Sequence, residues 1–216
     1  MKTFQVEEIA NLVEELNVWR HFFTKGPILE VLQAINNLLH AYQELDENEK
    51  RLLDQLKAIN MNSLDLTWLD QIKADFTRVV YGPDKLTFYP FESVAISGDK
   101  QLMQQETYEI RKTYLESGLA VKALDRIPDD FIANEIEFAF YLLQNTLKQY
   151  QQGKVESAAQ ELEKFHLFFD QHIQPWIPDF CHHASSQCQD SLIADIFRLI
   201  EGSLTNIGDM LKLRLA

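Results

Sequence analysis

The sequence has no apolar run that approaches the ~18 residues of a membrane-spanning helix. Its first residues, Met1-Lys2-Thr3-Phe4, lead into acidic residues within a few positions. They lack the basic start, the apolar centre and the cleavage site of a secretory signal. We therefore expect a protein that stays in the cytoplasm.

Glycine is scarce, with seven scattered residues among 216. None of them forms the G-x-x-x-x-G-K or G-x-G-x-x-G pattern whose backbone amides hold phosphate groups. The H-E-x-x-H, C-x-x-C and G-x-S-x-G patterns of hydrolases and redox proteins are absent as well. The sequence therefore supports no catalytic residue and no cofactor, and we expect a protein that is not an enzyme.

Cysteine is equally scarce, because Cys181 and Cys188 are the only two. In a chain without an export signal they do not indicate a disulfide framework. Cys181-His182-His183 raises the possibility of zinc, but its spacing matches no familiar zinc pattern, and adjacent histidines point in different directions on a helix. We expect free thiols and no metal.

Basic residues are outnumbered, 20 against 33 acidic ones, which gives a formal net charge of −13. Nucleic acid is a poor partner for such a surface, since phosphate binding needs clustered Lys and Arg. A basic partner would be attracted instead. The alternative is that the acidity serves only to keep a cytoplasmic protein in solution.

Apolar residues recur at helical spacing along most of the chain, and no convincing strand appears. Asp46, with Glu49 three residues later, predicts a capping box. The pattern predicts an all-α fold of about eight or nine helices in one domain over residues 1–216. An N-terminal bundle would join the C-terminal helices at a hinge near residues 120–131. We expect a monomer that forms a domain-swapped dimer as a minor species.

Residues 82–97 interrupt this periodicity with two prolines, a glycine and three aromatic residues. A loop of this length in a compact domain is typically functional or disordered, and its aromatic content argues against disorder. Its aromatic side chains either hold the loop against the core or line one side of a groove, and the two roles are compatible. These side chains are Phe88, Tyr89 and Phe91.

An acidic cluster follows, made of Asp125, Asp129, Asp130, Glu135 and Glu137. Acids at the start of a helix interact favourably with the positive end of its dipole, which would account for Asp129 and Asp130. Glu135 lies near the apolar stripe of this helix. If partly buried, it needs a basic or hydrogen-bonding partner, from this chain or from a bound peptide.

Three motifs follow one another along the chain. The first comprises Thr77-Arg78-Val79-Val80-Tyr81-Gly82-Pro83 and Pro90-Phe91-Glu92-Ser93-Val94. The second comprises Pro128-Asp129-Asp130-Phe131 with Glu135-Ile136-Glu137-Phe138, and the third comprises Phe165, His172, Pro175, Trp176 and Phe180. Together and in this order, the three motifs resemble the TorD/DmsD family of cytoplasmic chaperones for molybdenum-containing redox enzymes. The resemblance spans roughly residues 19–200. The chain departs from the family at Phe131, where the family motif has a hinge histidine, and this weakens any nucleotide or pH-switch role.

The resemblance implies a chaperone that binds the twin-arginine signal peptide or N-terminal region of a molybdoenzyme catalytic-subunit precursor and assists its maturation. Such a leader is basic and apolar, so an acidic protein with an aromatic-walled groove complements it. The residues expected to bind the peptide lie just before the interrupted segment, within it and around the start of the later helix that carries Glu135. They are Val80, Phe91, Glu92, Ser93, Pro128, Asp130, Phe131 and Glu135.

Two alternatives remain at this stage. One is a helical adaptor that binds another partner peptide or subunit. The other is a helical metal-dependent hydrolase that uses the acids of residues 125–137 and the late histidines.

Overall fold

The computed structural model describes residues 4–59, 66–82, 88–98, 101–121 and 127–215. Within these ranges the chain forms ten α-helices, one π-helix and no β-strand, which confirms the all-α prediction. None of these helices is long and apolar enough to cross a membrane. The helices are Val6–Lys25 (α1), Leu29–Ala41 (α2), Glu47–Ala58 (α3), Leu66–Val80 (α4), Glu92–Ser97 (α5), Gln105–Glu116 (α6), Ile132–Gln151 (α7), Val155–Phe168 (α8), Ile177–Gln187 (α9) and Ser191–Leu215 (α10), with the π-helix Phe169–Ile173 between α8 and α9.

Local signals set several of the helix ends. Asp46 accepts a hydrogen bond from the Glu49 backbone N–H, and the Glu49 side chain accepts one from Asp46, both at 2.8 Å. This confirms the predicted capping box at the start of α3. Helix α1 ends at Gly26, whose φ of 71° lies in a region that side-chain-bearing residues rarely adopt.

The N-terminal and C-terminal helices share one core. Helix α1 packs along α7, while α10 packs along α9 and α3. The Phe22 ring lies 4.9 Å from that of Phe76 and 5.4 Å from that of Phe197, so α1, α4 and α10 meet there. Trp19 donates a hydrogen bond of 2.8 Å to Ser203, which ties α1 to α10 a second time.

The ion pairs of α10 extend these ties to α3 and to the first turn of α1. The buried Asp195 carboxylate accepts hydrogen bonds from Arg51 and Gln55 of α3. Near the end of α10, Arg214 pairs with Glu8. The first and last parts of the described chain are therefore held on one framework.

Two helices arise where no apolar stripe predicts one. Glu92–Ser97 forms α5, so the prediction of an irregular loop over residues 82–97 is wrong for its last six residues. Helix α9 follows Trp176 and carries Pro178 in its first turn, where a missing N–H costs nothing. Residues 83–87 lie outside the described residues.

The hinge predicted at residues 120–131 stays a prediction, because residues 122–126 lie outside the described ranges. The residues that follow this gap, Ile127 to Phe131, lead directly into α7. They meet the segment before α5, and this contact forms the centre of the candidate site.

Candidate functional site

A short backbone pairing joins the residues before α5 to those before α7. Phe91 and Phe131 form an isolated antiparallel bridge. The Glu92 N–H donates to the Asp130 carbonyl, and the Ile132 N–H donates to the Pro90 carbonyl, both at 3.1 Å. Two segments that the sequence analysis assigned to one site therefore lie side by side.

We call the paired segments, residues 90–93 and 130–132, the junction. The Asp130 side chain adds a further hydrogen bond to it. Its Oδ2 accepts a hydrogen bond of 3.0 Å from the Ser93 N–H, one of the free donors in the first turn of α5. Asp130 therefore caps α5. The dipole interaction predicted between this acid and the helix that follows it, α7, stays a prediction. The residue is fully buried, because α5 and the start of α7 close over it.

Glu92, the first residue of α5, is paired with His172 of the π-helix. His172 Nδ1 lies 3.1 Å from both carboxylate oxygens, and both side chains are buried. Burial raises the pKa of Glu92, and the hydrogen bond from His172 opposes the rise. The negative charges of Asp130 and Glu106 raise it further.

Glu135, one turn into α7, is also fully buried. Its Oε2 accepts a hydrogen bond of 3.0 Å from Nε1 of Trp176, which supplies the partner that a buried acid needs. Burial raises the pKa of Glu135 well above its ordinary value, and the nearby charge of Glu92 adds to the rise. Glu137, two residues on, points outward and pairs with Arg20 at 2.9 Å.

Asp129 belongs to a separate pair beside the junction. Its Oδ2 accepts hydrogen bonds of 2.9 and 2.6 Å from Arg111 of α6. The Tyr114 hydroxyl donates to the Asp129 carbonyl at 3.3 Å. Asp129 thus anchors α6 to the start of α7. The dipole interaction predicted for it stays a prediction.

Aromatic and apolar side chains form the part of the site that solvent reaches. Phe91 is half-buried, and its ring centre lies 5.5 Å from that of Phe131. Tyr81, which is 48% exposed, lies 5.6 Å from Phe131 on the other side. Pro128 is half-buried and Ile127 exposed, so we call Tyr81, Phe91, Ile127 and Pro128 the apolar rim.

The structure thus divides the predicted peptide-binding residues into two groups. Phe91 and Pro128 are accessible at the rim. The others are buried in the arrangement seen here: Val80, Glu92, Ser93, Asp130, Phe131 and Glu135. Phe131 is a core residue whose ring also contacts the rim aromatics Tyr81 and Phe91.

The two histidines after His172, namely His182 and His183, do not contact the acids of this site. His182 pairs with Glu201 at 3.2 Å, and the His183 ring stacks on Phe88 at 4.7 Å. Burial raises the pKa of the Cys181 thiol, and that of Cys188 to about 12. Among the described residues no group of three His, Cys, Asp or Glu side chains is arranged to hold a metal ion, and Asp125 lies outside them.

Sequence reasoning missed four residues of the site: Arg111, Tyr114, His172 and Trp176. His172 and Trp176 enter the sequence analysis only as members of the third motif, and no partner is predicted for either. The available signal for these two residues was their spacing in the stretch from Phe165 to Phe180. The π-helix inserts there and sets the direction of His172 toward Glu92.

Taken together, the fold and the site define a class, namely all-helical proteins with a polar junction buried beneath an apolar rim. The family model described as nitrate reductase delta subunit matches residues 31–182, from within α2 to within α9. This is more than half of the chain, so the chain belongs to the nitrate reductase delta subunit family, which comprises maturation chaperones of molybdenum-containing enzymes.

The match contains every residue of the site, and it confirms the chaperone resemblance at the level of this wider family. The narrower TorD/DmsD assignment stays a prediction. No curated protein is similar enough to the chain to count as a match.

Proposed function

We propose that the protein binds the N-terminal leader of a molybdenum-containing oxidoreductase in the cytoplasm and holds it while the enzyme is matured. The observation that carries the proposal is the apolar rim above the Phe91–Phe131 pairing, within the part of the chain that matches the chaperone family. The protein's work would be recognition, with no chemical step of its own.

The chemistry of such a leader complements the rim and the charge of the protein. A twin-arginine leader combines a basic start with an apolar stretch. Phe91, Tyr81 and Pro128 offer apolar surface for the stretch, and the net charge of −13 attracts the basic start. The rim would supply affinity, whereas the charge would mainly speed the encounter.

Asp130 and Glu135 are the carboxylates proposed to meet the basic residues of the leader. Both are fully buried in the arrangement seen here, so contact with a leader requires the junction between α5 and α7 to open. Among the described residues, two backbone hydrogen bonds and the bond from the Ser93 N–H to Asp130 join the two segments, so opening the junction breaks few hydrogen bonds.

Affinity purification of the tagged protein from its own cells tests the proposal. We expect the precursor of a molybdenum-containing oxidoreductase, with its leader intact, to copurify. Enrichment of an unrelated peptide or subunit would favour a helical adaptor instead. Titration calorimetry with a synthetic leader of the captured precursor then measures the affinity directly.

Phe91→Ala should weaken leader binding by about 2 kcal/mol, because removing a central aromatic anchor commonly costs at least that much. Tyr150→Ala, which removes another half-buried aromatic near the far end of α7, is the matched control and should leave the affinity unchanged. A melting curve establishes that each variant is folded. Unchanged affinity in both Phe91→Ala and Asp130→Ala would reject this surface as the leader site.

A further inference from the structure

Two adjoining cavities lie along α1, and no residue of the junction or of the apolar rim lines them. The larger, of about 640 Å³, lies between α1, residues 42–46, the start of α3 and α10. The smaller, of about 410 Å³, lies between α1 and α2. Glu15 and Tyr42 line both, and the Tyr42 hydroxyl donates a hydrogen bond of 2.9 Å to Glu15 Oε1. The cavities therefore share one wall, and we call the two together the α1 groove.

The lining of the α1 groove combines apolar surface with negative charge. The larger cavity has four apolar side chains, namely Leu12, Leu45, Ile207 and Met210. Among the described residues that line the two cavities there is no lysine, arginine or histidine. The acids that line them are Glu14, Glu15, Glu44, Asp46 and Glu49. An occupant that complements this lining carries positive charge and apolar groups together.

Glu15 is the acid that both cavities share, and neutral groups hold it in place. Burial raises its pKa, hydrogen bonds from Ser203 and Tyr42 oppose the rise, and the charge of Glu49 adds to it. Ser203 is itself fixed, because it is buried and accepts a hydrogen bond of 2.8 Å from Trp19. A cationic group in the groove would stabilise the ionised form of Glu15, whose position is already set.

Two walls of the groove lie outside the part of the chain that matches the family. The match covers residues 31–182, whereas α1 comprises Val6–Lys25 and α10 comprises Ser191–Leu215. The α1 groove is therefore inferred from the residues of this chain and not from its family membership.

The shape of the groove favours an extended occupant. The volume of each cavity lies within the range of about 300–1,000 Å³ that is usual for binding sites. A small cation would occupy one cavity and leave most of the apolar lining uncovered. A polypeptide segment with basic and apolar side chains can follow both cavities past the Tyr42–Glu15 pair and cover the two kinds of surface at once.

We propose that the α1 groove binds a basic, amphipathic segment of a partner protein. Its apolar side chains would pack against Leu12, Ile207 and Met210, and one of its cationic side chains would meet Glu15. This inference goes beyond the proposed function and does not rest on it, because leader binding is assigned to the apolar rim.

Fluorescence anisotropy with a labelled probe peptide tests the groove. The probe is a short acetylated peptide in which lysine and leucine alternate, and a second version carries glutamine in place of every lysine. We expect the lysine peptide to bind the wild type at least about tenfold more tightly than the glutamine peptide, since only its side chains can pair with carboxylates. Equal binding of the two peptides, or no binding of either, overturns the proposal.

Two variants assign the binding to the groove. Glu15→Gln removes the charge and keeps an acceptor for Tyr42, while Asn206→Trp places a large ring at an exposed position of the larger cavity without changing the charge. Each should weaken binding of the lysine peptide by roughly tenfold, and melting curves establish that each is folded. Glu7→Gln on α1 and Gln160→Trp on α8 change exposed residues outside the groove and should have no effect. Equal weakening by these controls would show attraction to the general surface charge and overturn the groove.

Further measurements separate the groove from other sites and other occupants. Phe91→Ala should bind the lysine peptide as the wild type does. If Phe91→Ala loses the peptide and Asn206→Trp retains it, the peptide occupies the rim, which overturns the groove and leaves leader binding standing. Displacement of the peptide by putrescine as effectively as by unlabelled peptide would identify a small-cation site and overturn the peptide assignment. Dimerisation of the wild type in sedimentation experiments, abolished by Asn206→Trp, would assign the groove to a second copy of the chain and overturn it as well.

Discussion

Glu135 and Glu137 have the same chemistry and lie two positions apart on α7, yet the helix gives them opposite environments. Glu135 points inward to Trp176, and Glu137 points outward to Arg20. The desolvation of Glu135 makes its protonation state part of the stability of the fold. This pair therefore offers a direct test of the buried junction at the scale of single residues.

Glu135→Gln should change how stability depends on pH. The folded protein raises the pKa of Glu135 well above the ~4.3 of an unfolded chain. Its contribution to stability is therefore present below about pH 4.3 and is lost as pH rises toward the folded pKa. Glutamine keeps an acceptor oxygen for Trp176 and cannot ionise. The free energy of unfolding of the variant should therefore rise relative to that of the wild type as pH increases above about 4.3, by roughly 1.4 kcal/mol for each unit of pKa shift.

Urea unfolding of both proteins across this pH range provides the measurement. Glu137→Gln is the control on the same helix, and it should shift the free energy of unfolding by about 1 kcal/mol or less, as for an exposed ion pair. A difference between Glu135→Gln and wild type that stays constant with pH would show that Glu135 is not desolvated as described.

At the scale of elements, α10 contains two glycines with contrasting surroundings. A Cβ added at Gly202 would meet nothing within 4 Å. A Cβ added at Gly208 would lie 1.9 Å from Oε1 of Gln174, the residue that follows the π-helix. Gly208 therefore marks where α10 and the π-helix segment approach closely.

Alanine substitutions at these two positions should have different effects on the stability of the protein. Gly202→Ala should stabilise the protein by up to about 1 kcal/mol, because alanine is the better helix former. Gly208→Ala should lose that gain, since Gln174 must move, and the double variant Gly208→Ala with Gln174→Ala should recover it. Thermal melts of the three variants test this, and equal stabilisation at both glycines would contradict the close packing of α10 on Gln174.

How far each element is predictable from sequence depends on its length and on what stabilises it. Helix α3 carries its own capping box and apolar stripe, and both were predicted. Helix α5 has only six residues, and its first turn is capped by Asp130 from a distant part of the chain. Such a helix has no periodic signal, because the interaction that stabilises it is tertiary.

For the molecule as a whole, periodicity predicts the all-α class, since buried stripes on long helices are encoded locally. The candidate site was predicted only in part. Phe91, Asp130 and Phe131 were assigned to one place and do lie together. The pairs that organise its interior were missed, because Glu92 and His172 lie 80 positions apart, and a single sequence contains no spacing rule for such contacts.

Site-specific crosslinking tests the central claim most directly, because it asks what touches the rim. Benzoylphenylalanine in place of Phe91 in the full chain, activated by light in its own cells, should form adducts with the leader of a molybdenum-containing oxidoreductase precursor. The same group in place of Tyr150 should not. Mass spectrometry of the adducts identifies the partner and the crosslinked residues. Adducts at position 91 that contain no such leader, or equal adducts from both positions, would contradict the account.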